Sequence, residues 1–444
     1  MARFTIIGAG LAGSLLGVLL AREGHEVEIF ERRADMRVAP VPRGRSINLA
    51  LSVRGWKAIA EAGLKDEVMA TAIPMRGRML HAVDGALELQ PYSIHPDEHL
   101  YSVSRHGLNV TLMNAAQAAG VKIHFNHRCT HIDFETGDLT FRDELSGSQI
   151  GHAGGHVVGS DGAFSAIREQ MTHRDRFNYR QDYLPWGYKE LTMPSLPSGG
   201  WCIDRGALHI WPRHDYMLIA LPNLDGSFTC TLFLPFDGER SSFAALKTES
   251  DVKAFFDREF PDAVAHMPTL LDDFMHNPTS PLVYVRCSPW HVGKHAVLLG
   301  DACHAVVPFY GQGMNAAFED CTVFMQCLRA MGPTEEMFAR YGELRKPNTD
   351  ALSDLALQNF EEMRSRVVSP VFKARKQVDA LLHQAFPEHW LPLYSMVTFS
   401  SIPYAEAVRR ARRQDLIVNG LAGAGVLGLA GLVGSALRSW SRTR

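Results

Sequence analysis

The sequence predicts an α/β protein with four parts: a Rossmann-like dinucleotide-binding domain, an antiparallel-sheet domain, a helical C-terminal region and a hydrophobic C-terminal helix. Three observations predict it. The chain opens on an apolar strand that breaks into G-x-G-x-x-G at Gly8, Gly10 and Gly13. From Tyr188 to about Leu234 it becomes a meander rich in aromatic and β-branched residues, punctuated by turn signals such as Asn223-Leu224-Asp225-Gly226. From Met337 to about Arg413 it reads as mainly helical, and an uncharged stretch, Leu416–Leu437, follows.

The glycine motif carries the first of these. Gly8 permits a tight turn, Gly10 lets a pyrophosphate approach the backbone, and Gly13 lets the following helix, running to about Arg22, pack close to the sheet. The free N–H groups at the N-terminus of that helix face the phosphates. Alone, such a motif is weak and also fits a glycine-rich turn in another α/β protein. Here a second strand ends in Glu31, an acid 18 residues past Gly13 and suited to holding a ribose hydroxyl. The two features together predict a dinucleotide-binding βαβ unit.

Composition bounds the rest. With 444 residues and 46% hydrophobic content, the chain has enough material for two or three domains. A net charge of -3, from 45 basic and 48 acidic residues, excludes a protein built for nucleic acid. The seven cysteines are scattered and form no C-x-x-C, which points to reduced, mostly buried thiols. The 20 histidines show no metal-binding spacing, so no metal is expected. The apolar N-terminus is interrupted by glycines and runs into the nucleotide motif, which excludes a signal peptide. Leu416–Leu437 is 22 residues long and is flanked by Arg409, Arg410, Arg412 and Arg413 before it and by Arg438 and Arg442 after it. About 20 apolar residues suffice to span a bilayer as a helix. Gly420, Ala424 and Gly428 add a small-residue face. The segment 415–437 therefore reads as a membrane anchor or interfacial helix, with the body on the cytosolic side. The other reading is a terminal helix packed on the body or a partner of a cytoplasmic protein. A homodimer is compatible with the sequence.

Taken in order, the chain passes Arg43 and Arg45, which suit phosphate contacts or surface ion pairs equally, and enters a helix over about Val53–Ala62. A strand from Met75 to His81 follows, in which alternation would put Arg76 and Arg78 on one face, and Tyr92 lies one hairpin later. A helix is predicted over about Gly107–Ala119, a strand over Val121–Asn126 and a hairpin over about Cys129–Ser148. A further strand, from about His156, leads through Asp161-Gly162, which has a plain reading as a turn, into a helix. After the meander, Phe255 to about Phe274 reads as mostly helical. A strand from Ala296 ends in Gly300-Asp301, and Gly311 and Gly313 precede a helix over Ala316–Met331, a second place where backbone amides face an anion or a polar ring. The later helical region is expected to be interrupted at Pro347, Pro370, Pro387, Pro392 and Pro403. The predicted division is a discontinuous nucleotide domain (1–75, 101–178 and 285–331), a substrate sheet (76–100 and 179–284), a helical region (332–414) and the segment 415–437.

G-x-G-x-x-G at Gly8–Gly13, D-G at Asp161-Gly162 and G-D at Gly300-Asp301, in this order, resemble the single-component FAD-dependent aromatic hydroxylases, the p-hydroxybenzoate hydroxylase-like flavoproteins. Ser160 stands where that family usually has Ala or Cys, a conservative departure. Runs such as P-M-R-G-R-M, W-G-Y-K-E-L and G-D-A-C-H-A-V-V-P-F-Y-G-Q-G-M-N-A-A-F-E-D resemble the branch of the family that acts on L-kynurenine, and the resemblance extends from Ile6 to about Tyr404. It implies FAD as cofactor, NADPH and O2 as cosubstrates, and ring hydroxylation through a flavin hydroperoxide. No amino-acid side chain is then required as an acid–base catalyst. A hydrophobic C-terminal anchor also occurs in eukaryotic members of that branch.

Carried over by resemblance, Arg78 and Tyr92 match the pair that binds the substrate carboxylate, and Asn359 and Tyr394 match further substrate contacts. Leu208, Ile219, Phe233, Met363 and Thr398 match the pocket wall, and Pro308, Phe309 and Tyr310 match the loop beside the flavin. Tyr310 departs from the Phe or His usual there. For FAD the matches are Gly8, Gly10, Leu11, Ala12, Gly13, Glu31, Arg32, Arg33, Ala50, Arg105, Cys129, Asp161, Asp301, Gly313, Met314 and Asn315. The rival readings are a flavin hydroxylase of another aromatic acid, a flavin halogenase, whose W-x-W-x-I-P is absent, and a non-enzymatic flavoprotein.

Overall fold

A computed structural model describes residues 1–39, 48–362, 370–387 and 389–420. Its first layer is a six-stranded sheet in the spatial order His291–Val292, Ala296–Leu298, His156–Gly159, Arg3–Ile7, Glu26–Phe30 and Lys122–His124. All neighbours are parallel except the edge pair His291–Val292 with Ala296–Leu298. Parallel central strands are buried on both faces, and Phe4, Ile6, Ile29, Val157, Val158, Val297 and Leu298 accordingly form one apolar core with Leu15, Leu16 and Leu19 of the helix Leu11–Arg22. A three-stranded antiparallel sheet, Gln149–Ala153, Asp138–Asp143 and His127–Ile132, packs against the six-stranded sheet, with Phe141 stacked on Phe30 at 4.1 Å. The hairpin predicted over about Cys129–Ser148 supplies only two of these strands; the third, Gln149–Ala153, alternates around a glycine and is half exposed, which gives it little apolar signal.

The second large sheet has seven strands in the order Ser280–Ser288, Asn178–Met193, Phe228–Pro235, Tyr216–Pro222, Ala207–Arg213, Gly77–His81 and Leu87–Pro91. Every pair is antiparallel except Ala207–Arg213 with Gly77–His81, which sets Leu208 beside Arg78. One face packs on the helices Glu249–Glu259, Pro261–Val264 and Leu270–His276 through Trp211, Leu218, Leu232, Phe255, Phe256 and Phe274. The other face carries Leu208, Ile219 and Phe233 toward the nucleotide domain and the C-terminal helices.

Two local expectations need correction. The strand expected from Met75 to His81 is broken into Ile73–Met75 and Gly77–His81. Arg76 lies at the break, half exposed and ion-paired with Asp204 at 2.5 Å, while Arg78 enters the sheet. Pro347 does not interrupt a helix: Glu335–Glu361 runs through it for 27 residues. The lost N–H bond is outweighed by tertiary anchors on both sides, the buried Arg345 bonded to Asp320 and the apolar residues Leu352, Leu355 and Phe360.

Residues 404–420 are helical, with Leu416 and Ile417 exposed. Residues 421–437 of the expected hydrophobic segment, and Met363, lie outside the described residues. Among the described residues no helix is long and apolar enough to cross a membrane.

Candidate functional site

The nucleotide end is built on the first strand–turn–helix. Gly8 has φ +105°, and a Cβ there would lie 2.8 Å from the Ser160 carbonyl. A Cβ on Gly13 would lie 2.1 Å from the Gly8 carbonyl, so that position has no room for a side chain. A Cβ on Gly10 would meet nothing within 4 Å, which leaves open space over the helix N-terminus that Gly10 caps without any side-chain bond. Ser160 closes the turn from the other side, donating to the carbonyls of Ile7 (3.0 Å) and Gly8 (3.2 Å).

Glu31 is buried at the end of the second strand and accepts bonds from the backbone N–H of Ala9 (3.0 Å) and Arg33 (3.0 Å) and from Arg33 Nε (2.8 Å). Burial alone would raise its carboxyl, but the Arg33 guanidinium and these N–H groups outweigh it and hold the carboxyl below the usual range. Leu11 and Ala12 begin the helix and are half-buried, while Arg32 and Arg105 are exposed. Cys129 is buried within electrostatic reach of Asp161, and burial foremost pushes its thiol up to about 12.

Asp161 accepts from the backbone N–H of Ala166 (2.6 Å) through Oδ2, but its buried Oδ1 has no partner. Burial raises its carboxyl above the usual range. Asp301 is exposed at the start of a short helix next to Gly300, whose added Cβ would sit 3.5 Å from the Ala12 methyl. The Gly300 N–H is held by the buried Asp320 (3.1 Å), which also bonds His304 and Arg345. Burial works against the Asp320 carboxylate, and His304 and Arg345 more than offset it, lowering its pKa. Gly313 begins the helix Gly313–Met331, three residues earlier than expected, again without a side-chain cap. Asn315 is fully buried: its Oδ1 accepts from the Ser52 N–H (2.9 Å) and its Nδ2 donates to the carbonyls of Ala50 (2.9 Å) and Gly311 (3.1 Å). Met314 is half-buried beside it. The structure therefore presents two open helix N-termini, an orphaned buried carboxylate oxygen and an exposed carboxylate, with the helix start Leu11–Ala12 close to the Gly300-Asp301 turn. That donor and acceptor set fits the phosphates, ribose and ribityl chain of an FAD.

The second end of the site is a half-buried arginine whose Nε is fully enclosed. Arg78 lies 4.9 Å from the Tyr394 ring and 5.8 Å from the Tyr92 ring, which stack on each other at 5.7 Å. Its Nε, the Tyr92 hydroxyl and the Thr398 hydroxyl are all buried without a hydrogen-bond partner. Among the described residues Arg78 forms no ion pair with a carboxylate. Tyr310 is buried and stacks on Tyr394 at 5.8 Å, so the departure from the usual Phe or His keeps a ring in the wall and adds a hydroxyl to it. Burial raises the Tyr92 and Tyr310 hydroxyls, keeping both phenols neutral.

The wall joins the two ends. Ala50, Leu208, Ile219, Tyr394 and Phe399 pack on Tyr92, Met75, Leu100 and Leu221. Phe233 faces Phe309 at 5.0 Å, and Phe309 stacks on Phe360 at 4.2 Å. Asn359 does not present a free amide, since its Nδ2 donates to the Phe309 carbonyl at 2.6 Å and so fixes the Pro308–Tyr310 turn. Pro308 itself is exposed. Sequence reasoning missed Phe360, Gln312, Tyr404, Arg54 and the Asp320–Arg345 pair. Adjacent acids at Glu319-Asp320 in an otherwise apolar helix were the available signal for the last.

On the opposite face of the same sheet, His81 Nδ1 lies 2.6 Å from Asp262, His81 Nε2 lies 2.8 Å from His209 Nδ1, and His209 Nε2 lies 2.7 Å from the Asp204 carbonyl. A carbonyl only accepts, so the bonding pattern assigns the His209 proton to Nε2 and leaves its Nδ1 to accept from His81. Burial holds His209 neutral, its pKa lowered to about 4.

A site that pairs a dinucleotide cradle with a buried aromatic pocket is that of a flavin-dependent aromatic monooxygenase. The family model described as "FAD binding domain" matches residues 1–356. Solved structures agree in fold: 2-methyl-3-hydroxypyridine-5-carboxylic acid oxygenase has a TM-score of 0.66 at 19% identity, covering 84% of this chain and 95% of that one. P. aeruginosa PqsL in complex with 2-aminobenzoylacetate has a TM-score of 0.66 at 20% identity, covering 82% and 97%. Kynurenine 3-monooxygenase of Myxococcus xanthus is 48% identical over 94% of this chain and 90% of its own length. The enzymes of that name from Salinispora arenicola (48% identical, 98% and 96% covered) and Dictyostelium discoideum (44%, 94% and 92%) are similarly close. The chain belongs to the kynurenine 3-monooxygenase family.

Proposed function

We infer that this protein hydroxylates L-kynurenine at ring position 3, consuming NADPH and O2 and releasing NADP+ and water. The observation that carries the substrate end is Arg78. A guanidinium whose buried Nε lacks a partner, and which pairs with no carboxylate among the described residues, is costly, and an incoming amino-acid carboxylate would supply the missing charge and hydrogen bonds. FAD, held in the nucleotide cradle, would supply the redox chemistry that couples NADPH to O2. Gly8–Gly13, Glu31 and Arg33 would hold its adenosine and pyrophosphate part. Asp161, Asp301, Gly313, Met314 and Asn315 would hold the rest. Leu208, Ile219, Phe233 and Phe309 would orient the aromatic ring and exclude water, and Tyr92, Tyr394 and Thr398 would complete the carboxylate end. In this reading residues 1–75, 101–178 and 285–331 form the cofactor domain, 76–100 and 179–284 the substrate sheet, and 332–414 the helical cover. We also propose that 415–437 attaches the protein to a membrane surface, on the uncharged run Leu416–Leu437 and the exposure of its first two residues, Leu416 and Ile417.

The test is NADPH oxidation by FAD-loaded protein with and without L-kynurenine, with mass spectrometry of the product. Stimulated oxidation giving a product heavier by one oxygen at the ring 3-position is expected. No stimulation, with stimulation by another aromatic acid, would reassign the substrate.

A further inference from the structure

The helix Leu393–Thr398 supplies Tyr394 and Thr398 to the pocket, yet it is only six residues long. Such a helix has little stability of its own and depends on what grips its ends. One side chain grips its C-terminal end. Arg54, on the helix Val53–Glu61 of the nucleotide domain, is 2% exposed. Its Nη1 donates to the Val397 carbonyl and its Nη2 to the Ile402 carbonyl. Its Nε donates to Glu319 at 3.1 Å, and its guanidinium lies 4.0 Å over the Tyr404 ring. The cation thus sits at the negative end of the pocket helix and ties both sides of the turn 398–402 to a rigid domain.

The same grip reaches the flavin side. Tyr404 donates to Gln312 Oε1 at 3.3 Å, and the Ser52 hydroxyl bonds the same oxygen at 3.2 Å. Ser52 caps the helix that carries Arg54 and is held by Asn315. We propose that Arg54 is a positioning residue that clasps the Leu393–Thr398 helix across the substrate pocket, so that the pocket stays sealed from water during turnover. This rests on the reading of Arg78, Tyr92 and Tyr394 as the pocket. With a loosened clasp, the electrons of NADPH are diverted: NADPH + H+ + O2 gives NADP+ and H2O2 in place of hydroxylated product and water.

The test is Arg54→Lys, which keeps a cation against Glu319 and the Tyr404 ring but cannot span two carbonyls with one ammonium group. Amide hydrogen exchange is followed by mass spectrometry, and product and H2O2 are counted per NADPH consumed. Loss of one charge-assisted bond predicts that exchange in residues 393–402 accelerates about tenfold or more, with the first strand and helix unchanged. FAD stoichiometry is retained, kynurenine KM rises, and H2O2 becomes a major product. The proposal is overturned by unchanged exchange in 393–402 with product yield as in the parent protein. It is also overturned by a uniform rise in exchange with loss of FAD, which would make Arg54 a general brace. Arg78→Ala, run in parallel, separates the two readings: an unchanged KM in that variant removes the pocket assignment, whereas the exchange result for Arg54→Lys stands independently of it.

Discussion

Arg78, the proposed partner of the substrate carboxylate, has a buried Nε with no hydrogen-bond partner. If Arg78 binds the substrate carboxylate as proposed, replacing it with Ala loses a charged hydrogen bond of about 1.5–3 kcal/mol and should raise the kynurenine KM about 10- to 150-fold. FAD content measured by absorbance should be unchanged, because Arg78 belongs to the sheet and not to the nucleotide cradle. His209 governs a different property. Its pKa is lowered to about 4 by burial, below the ordinary 6.5, so the unfolded chain binds a proton between those values and the folded chain does not. Its contribution is therefore fully present above pH 6.5 and is lost as pH falls toward 4. The difference corresponds to about 3 kcal/mol. Urea denaturation of the parent protein and of His209→Gln at pH 7 and pH 4.5 should show a smaller acid loss in the variant; an equal loss would assign the acid sensitivity elsewhere.

The glycine turn separates folding from cofactor binding within one element. Gly8 and Gly13 are enclosed by backbone, so Ala at either position forces the strand, the helix or the Ser160 loop apart. Gly10 faces open space. Gly10→Ala should therefore leave the melting temperature of the FAD-free protein nearly unchanged while weakening FAD binding, because its methyl enters the space a pyrophosphate needs. Gly13→Ala should lower the melting temperature with or without FAD. Calorimetry with and without added FAD tells them apart, and equal effects of the two variants on the FAD-free protein would refute the assignment. The helix Glu335–Glu361 makes a related point about elements. Pro347 is tolerated because Arg345 and Leu352 anchor the helix on both sides of it, which no local propensity reveals.

At the scale of the molecule, two sheets and a set of C-terminal helices meet at the pocket, and the helix 404–420 packs beside them through Tyr404 and Ala407. Truncation after Asp415 keeps Arg54's partners and the pocket helix. The shortened protein should hydroxylate kynurenine at a rate within about twofold of the full chain, since distant changes act independently. It should also fail to sediment with phospholipid vesicles that retain the full chain. Equal sedimentation of both forms would remove the segment from Leu416 onward from membrane attachment.

Strand–turn–helix units with their own chemistry were legible before any fold was known. The G-x-G-x-x-G turn, Glu31, the meander and the strand ending in Gly300-Asp301 stand where the sequence puts them, because glycine sterics and apolar periodicity act over a few neighbouring residues. The resemblance to flavin hydroxylases likewise rested on motifs continuous in the chain. Other features were decided only by tertiary contacts. Arg76 and Arg78, two residues apart, end in different environments because the strand breaks at Arg76, whose N–H donates to the Gly206 carbonyl and whose guanidinium pairs with Asp204, both far away in sequence. Asn359 spends its amide on a loop carbonyl 50 residues distant. Arg54 reaches carbonyls more than 340 residues away. Local pattern determined which elements form and where a nucleotide would lie. Long-range hydrogen bonding decided which side chains were left over to meet a substrate, because a buried polar group is free for a ligand only after every contact the fold offers it has been counted.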